Sequence, residues 1–200
     1  NIYLKSICVK YSSWLFYLHY YIQHMTDFFA KSDISRNDAE KIVSDTLKNT
    51  DDGELYLENT KSENIVLDDS KIKNSSYNSD VGYGLRAVTG EVIAYSHSNE
   101  ISKNSLKNSS ENLKSTLKSK KGTYNHSIPK SNIKYYEDKN PLDDKSFSSK
   151  VKILEEIDKY TRSKHSNIKQ VTANFLGEHK TVEIIRSGGE IISDIRPLVR

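Results

Sequence analysis

The chain has 200 residues, with 30 basic and 27 acidic side chains, a formal charge of +3 and 35% apolar residues. Its mean hydropathy is −0.70, which points to one soluble domain with a thin core, since domains average roughly 150 residues. The charges are interspersed and form no basic face of the kind nucleic-acid binding needs. The single cysteine, Cys8, excludes an internal disulfide.

Residues 1–24 are aromatic-rich and unlike the rest of the chain. Lys5, Lys10, Ser12, Ser13, His19 and Gln23 deny them the about twenty consecutive apolar residues of a membrane span. They also lack the clean apolar run and small-residue cleavage site of a secretory leader. Met25 is the only methionine and stands at a sensible domain start, so residues 1–24 read as an extension upstream of a domain over 25–200, with an interfacial helix as the alternative.

From Ser35 a helix is predicted, with Ser35 as its cap and Asp38 in its first turn. Ala39, Ile42, Val43, Thr46 and Leu47 recur at helical spacing, and the helix should end near Asn49-Thr50. It should lie across one face of the segment that comes next.

That segment, Asp51 to Asn99, carries four short alternating runs separated by polar or glycine-containing turns. Leu55 and Leu57, then Ile65 to Leu67, then Tyr77, Val81, Tyr83, Leu85 and Ala87, then Val92 to Tyr95 supply the apolar positions. Period-two alternation of this kind predicts an antiparallel meander with one apolar and one wet face. Its sharpest feature is Asp80-Val81-Gly82-Tyr83-Gly84-Leu85-Arg86. Two glycines two apart bare the same face of a strand, so a bulge, a ring such as that of Tyr95, or a partner must come close there. In the functional reading, a ligand or partner segment lies on this face with Arg86 as its anion handle. The pattern is not a dinucleotide loop, because the third glycine and the strand-to-helix turn are missing.

A second helix comes after it, marked by a narrow stripe of Ile101, Leu106, Leu113 and Leu117 among Ser, Asn and Lys. Residues 119–146, with Pro129 and Pro141, read as a long surface loop. Tyr124, Ile128, Ile133, Tyr135 and Tyr136 would pin it to the domain. Ser148-Ser149 opens a third helix with Val151, Ile153, Leu154, Ile157 and Tyr160 on its apolar face and Glu155 to Lys159 as an i,i+4 pair. Three strands are then expected, over 168–176, 180–186 and 190–195, with turns at Gly177 and Gly188-Gly189.

The run from Gly53 to Ser102 resembles the N-terminal domain of the TldD branch of the TldD/PmbA metallopeptidases. Gly53, Leu55 and Tyr56 match the opening of its motif, and Ser76, Tyr77, Asp80, Gly82, Gly84, Leu85, Arg86, Ala87 and Gly90 match its core. Ala94-Tyr95, Ile101-Ser102 and the tail Gly188-Gly189-Glu190 through Asp194-Ile195-Arg196-Pro197-Leu198-Val199-Arg200 fit the same domain. The resemblance covers roughly residues 36–200.

It implies a cytoplasmic, dimeric zinc peptidase acting on unfolded peptides or small regulators. The family's metal sits in a C-terminal domain, on a helical His-Glu-x-x-x-His pair and a distant Cys. This chain has no such run, so zinc and catalysis are expected in a missing half. No two of His19, His24, His97, His126, His165 and His179 lie at i,i+3 or i,i+4, and no nucleophile elbow, P-loop or Cys-x-x-Cys occurs. No catalytic, cofactor-binding or metal-binding residue is therefore assigned. Asp80, Gly82, Tyr83, Gly84 and Arg86 are the candidates for a substrate-chamber or interface surface.

The expected fold is α+β: two antiparallel meanders packed with about three helices in a single domain. The expected partners are a second copy, a PmbA-like subunit or a separate catalytic half, together with peptide substrates, and neither nucleic acid nor membrane. The alternatives are a stand-alone regulatory module of the gyrase-modulator kind and a non-functional remnant of a split gene.

Overall fold

A computed structural model describes residues 27–117, 122, 135–137, 139–186 and 189–200. Among the described residues, three helices and five strands follow in the order α1 (Arg36–Leu47), β1 (Asp52–Asp68), β2 (Lys71–Thr89), β3 (Val92–Ser98), α2 (Lys103–Leu117), α3 (Phe147–Lys164), β4 (Thr172–Arg186) and β5 (Ile191–Val199). The expectations for residues 1–24, and for Tyr124, Ile128, Pro129, Ile133 and Gly188, lie outside the described residues.

Both expected meanders are present as parts of one antiparallel five-stranded sheet, in the order β3-β2-β1-β4-β5. Leu55 stands between Leu85 on β2 and Ile185 on β4, so the central strand β1 joins the two halves. That central position accounts for two departures from the expected pattern. The polar run Asn59–Asn64 continues β1 because it is paired on both sides, with β2 and β4. The stretch expected as two strands with a turn at Gly177 is the single strand β4. Gly177 serves packing instead: a Cβ there would fall 2.5 Å from Leu142 Cδ2.

All three helices cover the same face of the sheet. Ser35 caps α1, its side chain accepting from the Asp38 amide at 3.2 Å. Ala39, Val43 and Leu47 of α1 and Leu106, Leu113 and Leu117 of α2 pack on Leu55, Leu57, Tyr83, Leu85, Ala87, Ala94 and Ile185. Helix α3 covers a smaller cluster at the other end, where Leu154 and Val151 meet Ile65, Leu67, Ala173 and Phe175. Its apolar face is split: Leu154 is buried, whereas Ile153, Ile157 and Tyr160 are exposed. The i,i+4 ion pair of α3 is Asp158 with Arg162 at 3.0 Å, not Glu155 with Lys159.

Two ion pairs, one half-buried and one buried, pin α1 and α3 to the sheet. Arg36 of α1 reaches the buried carboxylate of Glu183 at 2.5 and 3.0 Å. Lys150 of α3 donates to Glu63 at 2.5 Å and to the Leu142 carbonyl at 2.6 Å, which also fixes the segment before the helix. The opposite face of the sheet carries no described helix.

Candidate functional site

Strand alternation places Glu54, Tyr56, Glu58, Gly82, Gly84, Arg86, Tyr95 and His97 on the helix-free face. There Gly82 and Gly84 form the floor of an open cleft of about 250 Å³. Tyr56 and Glu58 stand on its β1 side, and Tyr95, His97, Ser98 and Asn99 on its β3 side. Asp80 and Val81 close the end where β2 runs on without β3.

Each glycine meets a close approach. A Cβ on Gly84 would meet the Tyr95 ring, 2.6 Å from Oη and 2.9 Å from Cε2. The Tyr95 ring in turn stacks on His97, with centroids 5.7 Å apart. A Cβ on Gly82 would fall 2.8 Å from the Ser98 carbonyl oxygen, just where the chain leaves the sheet toward α2.

Glu58 is the hub of the cleft's polar wall. It accepts from Tyr56 Oη at 2.7 Å and Thr60 Oγ1 at 2.9 Å, and pairs with Lys180 Nζ at 3.3 Å. Burial opposes its ionisation, but these donors outweigh burial and hold its carboxyl below the usual range. Burial, and the hydrogen bond to the Glu58 carboxylate, push the Tyr56 hydroxyl up to about 12. The wall is thus a fixed, protonated tyrosine beside an ionised glutamate.

The structure brings Asp80, Gly82 and Gly84 together in the cleft, and Tyr83 only by its backbone. The Tyr83 side chain points to the helix face, 4% exposed, with its hydroxyl bonded to Ser105 Oγ at 2.8 Å and Ser109 Oγ at 2.9 Å. Arg86 lies off the cleft, and its guanidinium is engaged within the chain. It donates to both oxygens of Glu54 at 2.7 and 2.8 Å and to Asp52 at 2.6 Å, an arrangement that fixes a charge instead of offering it. The Glu54 hydrogen bond, opposed by burial, raises its pKa still further. Tyr56 and Glu58 were missed because their contribution depends on pairing across strands. Their one sequence signal is that they share the parity that pairs them with Gly84 and Gly82.

Among the described residues, no group of three His, Cys, Asp or Glu side chains could hold a metal ion. No described helix is long and apolar enough to cross a membrane.

A five-stranded antiparallel sheet with helices on one face and a glycine-floored cleft on the other defines an α+β domain, and its fold is found in solved structures. Crystal structures of candidate modulators of DNA gyrase share the fold. The one from Bacteroides thetaiotaomicron has a TM-score of 0.61 at 14% identity, over 83% of this chain and 40% of that one. The one from Thermotoga maritima has a TM-score of 0.59 at 9% identity, over 73% and 33%. TldE from Thermococcus kodakarensis has a TM-score of 0.54 at 14% identity, over 82% and 38%.

Sequence comparison gives the family. The PmbA/TldA metallopeptidase domain 1 matches residues 53–119 and the PmbA/TldA metallopeptidase central domain residues 140–200. The chain belongs to the PmbA/TldD metallopeptidase family, and it carries the family's N-terminal part. Among its relatives, the metalloprotease TldD homologue of Haemophilus influenzae is 31% identical over 159 residues, covering 76% of this chain and 32% of that protein. The homologue of Buchnera aphidicola subsp. Acyrthosiphon pisum is 30% identical over 151 residues, covering 75% and 31%. The chain thus spans about a third of the length of the curated relatives it matches.

Proposed function

We propose that this chain is the non-catalytic, substrate-enclosing part of a TldD-type zinc peptidase that cleaves unfolded or extended peptides. The supporting observation is the pair of family domains, first and central, that together build one sheet with a helix-free, cleft-bearing face. A sheet with one face packed and the other open to a polar cleft is suited to wall a chamber. Zinc would be held by the part of a TldD-type protein that this chain does not span, and there it would supply an activated water for hydrolysis. In this reading the protein works in the cytoplasm, paired with a second copy or a PmbA-like subunit.

The test is reconstitution. The chain is mixed with the part of the Haemophilus influenzae homologue that it does not cover, in the presence of zinc and an unfolded casein substrate. A complex that hydrolyses casein, when neither piece does so alone, is the expected result. Hydrolysis by this chain alone, or failure of the two pieces to associate, would overturn the reading.

A further inference from the structure

The cleft above Gly82 is walled by groups that accept hydrogen bonds. Gly82 lies opposite Glu58 on β1, and the next residue on its face of β2 is Asp80, opposite Thr60. On the other side, β3 ends its pairing at Ser98. The Ser98 carbonyl oxygen and Asn99 Oδ1 turn in toward Gly82, 2.8 and 3.3 Å from where its Cβ would stand. The Tyr56 hydroxyl also lines the cleft, but its one proton is committed to Glu58. No lysine or arginine is among the described lining residues.

Two of these acceptors are unengaged. Neither the Asp80 carboxylate nor the Asn99 side chain has a hydrogen bond or ion pair to any described residue. Glu58, by contrast, is held by Tyr56, Thr60 and Lys180, so Asp80 is the charge left to recruit a partner. Beside them stands the Tyr95 ring, 63% exposed and stacked on His97. Oxygen acceptors next to an aromatic wall suit a cation on an apolar stem, because an ammonium has three donors and no acceptor. A metal ion fits less well, since no group of three His, Cys, Asp or Glu side chains converges among the described residues. The space of about 250 Å³ lies below the about 300–1,000 Å³ of pockets for drug-sized ligands, so the guest is small.

We propose that the cleft binds a primary ammonium group. Asp80, the Ser98 carbonyl and Asn99 Oδ1 accept its three hydrogen bonds, and Tyr95 covers the carbon chain behind it. A free aliphatic amine and the side chain of a lysine carry the same group, and the site recognises that shared chemistry. The inference goes beyond the peptidase reading and does not depend on it.

The probe is cadaverine, titrated into the intact chain and followed by amide resonances in NMR. It is compared with pentanediol, its uncharged counterpart, and with lysine blocked at both ends of its backbone. Cadaverine should shift Gly82, Gly84, Ser98 and Asn99 saturably, and the diol should not. Asp80→Asn should weaken cadaverine about fivefold, the upper end for an exposed ion pair. Tyr95→Leu, which keeps an apolar wall but removes the ring, should also weaken it. Asp45→Asn removes the same charge from α1, on the other face of the sheet, and should change nothing. Gly82→Ala fills the space above the floor and should abolish binding; should it fail to fold, Asp80→Asn still decides.

Equal binding of the diol, shifts confined to other parts of the chain, or equal affinities for Asp80→Asn and Asp45→Asn would overturn the proposal. Blocked lysine that binds as tightly as cadaverine assigns the ammonium to a polypeptide, and much weaker binding assigns it to a free amine; either result supports the site. Reconstituted hydrolysis without amine binding removes only this inference. Amine binding without reconstitution removes only the peptidase reading.

Discussion

The Tyr95 ring lies where a side chain on Gly84 would stand, its hydroxyl oxygen 2.6 Å from the site of a Cβ. This cross-strand contact is what the paired glycines of β2 make possible, and it predicts an order of tolerance. In Gly84→Ala the neighbour is the far end of a side chain that is 63% exposed and can swing outward, at a cost of about 1 kcal/mol. In Gly82→Ala the neighbour is the Ser98 carbonyl oxygen at 2.8 Å, fixed by the exit of β3, so the cost should reach about 2–3 kcal/mol. Urea unfolding of both variants checks this. A Gly84→Ala change that costs more than Gly82→Ala would contradict the geometry.

The same contact shows how far the sequence could be read. Two glycines of one parity, with a tyrosine on the next strand, foretell a ring lying on bare backbone, because period-two alternation is a local property. What Arg86 does was not legible. Its partners Asp52 and Glu54 stand 34 and 32 residues away, and only the β1–β2 register brings them alongside. The union of the two meanders was hidden for the same reason, since Leu55 meets Ile185, which stands 130 positions further along the chain. Gly177 misled because a glycine between apolar runs is a turn signal locally, whereas here it makes room for Leu142. The split face of α3 was equally invisible, because spacing reports an apolar sector and not how much of it the sheet covers.

The Lys150–Glu63 pair joins α3 to β1, with the two side chains 4% and 11% exposed. Removing one partner leaves an uncompensated buried charge, so Lys150→Met should cost about 3–5 kcal/mol. Glu63→Gln should likewise destabilise the chain. The double variant Glu63→Gln/Lys150→Met should recover much of the loss, because neither charge remains to be desolvated. A double-mutant cycle on chemical denaturation measures the coupling. Strictly additive effects would show that the pair is not coupled.

Acid should unfold the end of the sheet held by Asp158. Hydrogen bonding from Ser70 at 2.5 Å, opposed by burial and aided by Arg162, holds its carboxyl below the ordinary 3.8. A depressed carboxylate stabilises the fold fully above its unfolded value and loses that stabilisation as pH falls through the folded one. Asp158→Asn should therefore lower Tm at neutral pH, with the gap to the parent closing below pH 3.8. Tyr56 acts at the other extreme: its hydroxyl, raised from 10.0 to about 12, stabilises fully below pH 10 and ceases to do so as pH rises through 12. Tyr56→Phe should flatten that alkaline loss. Tm measured across pH tests both, and a gap for Asp158→Asn that persists to the lowest pH would defeat the first.

Helix α3 shows an apolar stripe that nothing described covers. Leu154 is 3% exposed and anchors the helix, whereas Ile153, Ile157 and Tyr160 are 41%, 46% and 63% exposed at i, i+4 and i+7. Leu154→Ala should therefore cost about 2–5 kcal/mol, and Ile153→Glu/Ile157→Glu less than about 0.5 kcal/mol per site. Contiguous exposed apolar surface favours association, to which Leu198 and Val199 at the end of β5 add. The parent chain should self-associate at high concentration by light scattering, and the glutamate double variant should do so much less. If the parent remains a clean monomer, the stripe does not drive association. If the double variant unfolds, the two isoleucines are part of the core after all.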